Sequence, residues 1–221
     1  MGLGARRRKQ EAFREGSGSV ARRKVRTEVF LNLPYDPKFE NLFLAYICAA
    51  HAIGLVPRVT LEIPGGARRL DRILGLIQKC AFSVHDLSRV QLDRNRPRVP
   101  RFNMPFELGL AVAWEKSGQP HVWFVMEAMN YRLAKSLSDL NGTDPYIHKG
   151  TVEGVFREMG NAFVRQRGAT VPQMWTFYRQ VRKQVPGILQ RCGTQSVFEA
   201  RVFEEISYAA SVAVRKIVQR G

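Results

Sequence analysis

The chain has 221 residues, enough to bury a continuous core without disulfide or metal staples, and its 45% hydrophobic and 24% charged residues are those of a folded globular protein, which excludes a disordered chain. The formal net charge is +16, from 35 Lys and Arg against 19 Asp and Glu, and such a balance favours polyanionic partners: nucleic acid, nucleotides or an anionic surface. No uncharged apolar run reaches the roughly 20 residues that span a bilayer, and Cys48, Cys80 and Cys192 form no CxxC pair, so a cytoplasmic protein with buried thiols and no membrane contact is expected.

Residues 1–26 carry nine basic and two acidic side chains, +7 of the total, and mix Gly, Ser and Arg without apolar periodicity. They read as a flexible basic arm, either simply solvated or gripping nucleic acid. Order is expected from Thr27. Thr27 to Leu33 is an apolar, β-branched and aromatic run closed by Pro34, a buried strand, and Pro37 opens a helix on which Phe39, Leu42, Phe43, Tyr46, Ile47 and Ala50 recur until Gly54. The pattern repeats: Arg58 to Ile63 alternates as a strand, Gly65 and Gly66 turn the chain, and Leu70, Ile73, Leu74 and Ile77 form a helical stripe.

Cys80 to His85 is a third strand. An Arg-rich, Pro-containing loop runs from Leu87 to Arg101, a helix from about Pro105 to Lys116, an apolar fourth strand from His121 to Met126, and a short fifth from Pro145 to Ile147. Strands alternating with helices imply βαβ units, hence an α/β fold: an open, mostly parallel, flavodoxin-like sheet of about five strands with flanking helices. After Gly150 the signals are helical, with Thr151 as a cap, a helix from Pro172 to Gln184, and a Ser196/Glu199 capping box ahead of Val202, Ile206, Ala209, Ala213 and Ile217. The division expected is a basic arm (1–26), an α/β domain (27–168) and a C-terminal helical extension (169–221). The extension reads either as a cap on the sheet or as an arm for a homo-oligomer or larger complex.

Ligands of open parallel sheets bind beyond the carboxyl ends of the strands, so the loops that follow each strand carry the candidate chemistry. The first holds Asn32, Tyr35 and Asp36, the second Asp86, Ser88 and Arg89, and the third leads into Asn103, Phe106 and Glu107. Each has a structural alternative. If Met104 is the cap of its helix, Glu107 occupies the capping-box position; Asp86 reads equally as an Asx residue of its loop, and Asn32, Tyr35 and Asp36 as turn chemistry around Pro34 and Pro37. His51, His85 and His121 lack metal-ligand spacing and read as packed or surface side chains, and the tryptophans as core. Gly65 and Gly66 fit neither a GxGxxG nor a Walker pattern, which argues against a dehydrogenase-type dinucleotide fold and a P-loop enzyme.

The run Asn103, Met104, Pro105, Phe106, Glu107, Leu108, Gly109, Leu110, Ala111 resembles the FELG.A helix start of nucleoside 2-deoxyribosyltransferases and related TIR-like proteins, in which the Glu is catalytic. Phe82 to Ser88 is similar to the third strand of that group with its Asp-bearing loop, and Val29 to Asp36 to its first strand and substrate loop; the likeness spans about residues 27–165. The resemblance implies an N-glycosidase acting on NAD or a related nucleotide as substrate, without cofactor or metal, in antiphage defence or signalling. In it Glu107 meets the anomeric carbon, and Asp86 orients or protonates the leaving base or holds a ribose hydroxyl. Asn32, Tyr35 and Asp36 shape the pocket, with Ser88, Arg89, Asn103 and Phe106 as further substrate contacts. One departure stands out: Arg94, Arg96, Arg98 and Arg101 crowd the loop where deoxyribosyltransferases often carry an Asp, which suits a phosphorylated substrate better than a free nucleoside. The rival expectation is a non-catalytic TIR-like module that binds nucleotide or nucleic acid or assembles.

Overall fold

The structure, a computed structural model, describes residues 27–62, 68–90, 101–140, 142–166 and 168–218; the basic arm, Gly65, Gly66, Arg94, Arg96 and Arg98 lie outside the described residues. In chain order the strands are β1 (Glu28–Asn32), β2 (Val56–Arg58), β3 (Phe82–Asp86), β4 (Val122–Glu127) and β5 (Tyr146–Ile147). The helices are α1 (Glu40–Ala52), α2 (Arg69–Lys79), α3 (Asn103–Lys116), α4 (Arg132–Ser136), α5 (Val152–Ala162), α6 (Val171–Cys192) and α7 (Ala200–Val218). All strand pairs are parallel and the order is β2-β1-β3-β4-β5, the flavodoxin-like arrangement, with its topological switch point between β1 and β3.

Successive residues of a strand point to opposite faces, and here the two faces are covered very differently. Val29, Leu31, Val84 and Met126 face α1 and α5, and that core continues outward into Phe177, Tyr178, Val181, Val202, Phe203 and Ile206 of α6 and α7. Phe30 faces the other way, toward Ile73, Leu76 and Ile77 of α2 and Ala111 of α3. Residues 169–218 therefore share the main core with α1. Leu42 to Ala50 of α1 are buried without interruption, and a helix apolar all round needs cover on every side. The sheet, α5, α6 and α7 together supply it.

Four local expectations are corrected. The strand expected over Arg58 to Ile63 lies earlier, at Val56–Arg58: Glu62 accepts from the Val59 N–H at 2.7 Å and pairs with Arg58, curling Thr60–Glu62 into a 3-10 turn, and Pro57 is tolerated because β2 is an edge. Helix α3 starts two residues sooner, at Asn103. Helix α6 runs past Gln184 and through Pro186 to Cys192, because Val181, Val185 and Ile188 extend its buried stripe and outweigh the missing N–H. The Ser196/Glu199 capping box is not made: Ser196 Oγ accepts from Phe198 N–H at 3.2 Å, and the Glu199 carboxylate accepts from the Thr194 hydroxyl. Thr151 does cap α5, through Gly154 N–H at 3.0 Å. Among the described residues no helix is long and apolar enough to cross a membrane.

Candidate active site at the switch point

Glu107 lies in the second turn of α3, one turn before Ala111, and so faces the α2/α3 side of the sheet. Because the helix starts at Asn103, Glu107 is not at the capping-box position, and that alternative is removed. The side chain is 2% exposed; Oε1 is 3.4 Å from Nη2 of Arg69, the first residue of α2, and Oε2 has no hydrogen-bond partner among the described residues. Burial pushes the carboxyl above its ordinary range, against the opposing pull of the Arg69 charge and the nearby Asn32 amide.

Asn32 ends β1 in register with His85, so both side chains stand on the face that Glu107 approaches, and Asn32 Nδ2 is 3.0 Å from His85 Nδ1. The Tyr35 hydroxyl is 2.8 Å from Thr60 Oγ1, and burial pushes the phenol up to about 12, with the charges of Arg69 and Glu107 close enough to act on it. Asn32, Tyr35, Arg69 and Glu107 thus form one cluster beyond the carboxyl ends of β1 and β3.

Asp36 belongs to a second, neighbouring cluster. Its Oδ1 accepts from Lys38 N–H at 2.9 Å and so caps the 3-10 turn, while Oδ2 accepts from Arg89 at 2.6 Å and lies 3.6 Å from Arg101. Burial works against the charged form, yet these bonds and charges hold Asp36 below the usual carboxylate range.

Asp86 is not brought to Glu107. It follows Val84 on the opposite pleat and is fully buried: Oδ2 accepts from the Tyr46 hydroxyl of α1 at 2.8 Å, Oδ1 from Ser88 N–H at 2.8 Å, and His148 Nε2 is 3.1 Å away. Gly150 N–H donates to His148 Nδ1, so the ring proton sits on Nε2, facing Asp86, although the approach is out of line for a good hydrogen bond. Burial opposes the charge, but His148 and Ser88 outweigh it and keep Asp86 below its ordinary value. The carboxylate holds the β3 loop to α1 and to the start of α5, which is the Asx-type role in a buried form. Ser88 serves that loop, and Arg89 serves Asp36. Asn103 is an exposed first residue of α3, and Phe106 is 56% exposed on the helix's outer face beside Phe102 at 67%.

Arg69, Tyr46 and His148 were not among the residues expected at these loops. His148 follows β5 and was within reach of the strand-end rule; nothing in the sequence distinguishes Arg69 from Arg68. A cavity of about 600 Å³ lies between α6 and α7, flanked by Gln184, Ile188 and Tyr208, and one of about 370 Å³ lies beyond β4 and β5 beside Leu133 and Ile147; neither includes Glu107. Comparison with known protein families, with curated proteins and with solved structures finds no match for this chain.

Proposed function

We propose that the chain is an N-glycosidase acting on NAD or a related nucleotide with Glu107 at the reacting centre. The observation that carries this reading is the buried Glu107 carboxylate at the switch point, with one oxygen unpartnered among the described residues and the other loosely held by a half-exposed arginine. A structural carboxylate would satisfy both oxygens, as Asp86 does; an unfilled one suits a cationic, oxocarbenium-like carbon. As the bond from the anomeric carbon to the base nitrogen breaks, its electron pair leaves with the base while Glu107 faces the electron-poor carbon. Water then adds there and gives its proton to the Glu107 carboxylate.

The placement of Asp86 narrows the substrate. With Asp86 buried on the other face and the Tyr35 phenol a poor acid, none of the described residues beside Glu107 is suited to protonate a neutral leaving base. Nicotinamide leaves NAD as a neutral molecule from a cationic ring and needs no proton. Arg69 supplies a partner for the phosphates.

The test is nicotinamide release from NAD by the full chain, parent against Glu107→Gln. The expected result is cleavage in the parent and a loss of about a hundredfold or more in the variant; full activity in Glu107→Gln refutes the reading. The net charge of +16 favours a second reading, a polyanion-binding module. Its signature is binding to single-stranded nucleic acid that weakens steeply with salt, is unaffected by Glu107→Gln and is lost on deletion of residues 1–26.

A further inference from the structure

Beneath α2 and α3, four side chains form one hydrogen-bonded line across the sheet that ends on a backbone carbonyl. Asn32 Nδ2 is 3.0 Å from His85 Nδ1, His85 Nε2 is 2.9 Å from Ser83 Oγ, Ser83 Oγ is 2.8 Å from His121 Nε2, and His121 Nδ1 is 3.0 Å from the Cys80 oxygen. All four residues are 4% exposed or less. The line follows from the pleat: Ser83 and His85 alternate onto one face, and Asn32 is the register partner of His85.

The line runs in one sense only. A carbonyl oxygen can only accept, so His121 carries its proton on Nδ1. Burial keeps both rings neutral: it lowers His85 to about 3, helped by the neighbouring His121, and lowers His121 despite the Cys80 bond and the charge of Glu115. Neutral His121 therefore accepts at Nε2, Ser83 must donate to it, and Ser83 must in turn accept from His85 Nε2–H. His85 Nδ1 is left with a lone pair, which the Asn32 NH2 group fills. Turning the Asn32 amide over would set its carbonyl oxygen against that lone pair and unmake the bond to His85.

We propose that His85, Ser83 and His121 are positioning residues that lock the Asn32 amide with its NH2 edge beside the Glu107 carboxylate, so that the identity of a carbonyl at the far end of β3 fixes a donor in the active site. The proposal rests on the reading of Glu107 given above. Asn32 follows Phe30 on the face where Phe30 packs against Ala111, one turn from Glu107, and its NH2 edge favours the charged carboxylate; with the amide reversed its carbonyl oxygen would face the carboxylate and repel it.

The first test uses the unmodified full chain, labelled with 15N-histidine, and reads ring tautomers from two-bond proton–nitrogen correlations. The expected result is Nε2–H for His85 and Nδ1–H for His121; the opposite tautomer at His85, or a mixture of both, overturns the proposal. The second uses Ser83→Ala, which cuts the line without altering Asn32 or Glu107. The Glu107 13C carboxyl titration midpoint is expected to rise, because the Asn32 amide dipole is no longer held with its NH2 edge toward the carboxylate. Nicotinamide release is expected to fall about tenfold in kcat with KM little changed. An unmoved Glu107 midpoint overturns the proposal. If the parent releases no nicotinamide, the glycosidase reading falls, and the tautomers and the Glu107 titration, which need no activity, still decide the positioning.

Discussion

Asp86 and Glu107, buried on opposite faces of one sheet, respond to acid in opposite directions. The Asp86 carboxyl is lowered in the folded chain, so its contribution to stability is present above its ordinary value of 3.8 and is lost as pH falls below it toward the folded value. Asp86→Asn is expected to cost about 3 kcal/mol or more, since an amide NH2 would face donors already aimed at the carboxylate, and denaturant midpoints at neutral pH will show it. The Glu107 carboxyl is raised, so the fold favours its neutral form; that contribution is present below the ordinary Glu value and is lost as pH rises through the folded one. Glu107→Gln is therefore expected to raise Tm at neutral pH by about 2–4 °C, of the order of 1 kcal/mol, with the gain shrinking in acid. A drop in Tm would mean that the Arg69 contact matters more than burial. The strand-end rule found both carboxylates from the sequence, because it depends only on where strands stop. It could not assign them to different faces, since a one-residue difference in register exchanges the faces, and loop residues carry no alternation to read.

Elements were legible where periodicity was strong and slipped where local side-chain bonds decided the boundary. Glu62 turned an expected strand into a 3-10 turn, and Gln173, which accepts from Thr170 N–H at 2.8 Å, rather than Glu199, makes a reciprocal cap. Tertiary fit is equally silent in sequence. Gly154 in the first turn of α5 is an example: a Cβ there would lie 1.9 Å from the His148 carbonyl oxygen, backbone that cannot step aside. Gly154→Ala is expected to destabilise by about 2–3 kcal/mol through overpacking and to move His148 off Asp86. Equilibrium unfolding will measure the cost, and a loss of the same size in an Asp86→Asn background would show that the two effects are independent instead.

At the scale of the whole molecule the sheet is lopsided, with α1 and α5 backed by α6 and α7 on one face and a single layer on the other. The sequence left open whether the last fifty residues cap the sheet or reach for another copy. Periodicity shows that a helix has an apolar stripe but does not name what meets it. Here Phe177, Tyr178, Phe203 and Ile206 are buried against the α1 side, each contributing about 1.5–3 kcal/mol. Truncation after residue 168 is thus expected to abolish cooperative folding. Cys48 reports on this directly: it is fully buried in α1 and its thiol is pushed up to about 12, so it should resist alkylation in the full chain and react rapidly in the truncated one.

The cover of α1 also sets an order of events on the ribosome. Residues 42–50 carry an apolar surface on all sides, whereas α6 and α7, which close over them, emerge only after more than a hundred further residues. Until α6 and α7 emerge, the sheet and α5 can shield only part of that helix, and the closing contacts span well over a hundred residues of chain. A growing chain in this state is a natural client for chaperones that hold exposed apolar helices, and products that lack α6 and α7 would leave that surface permanently open.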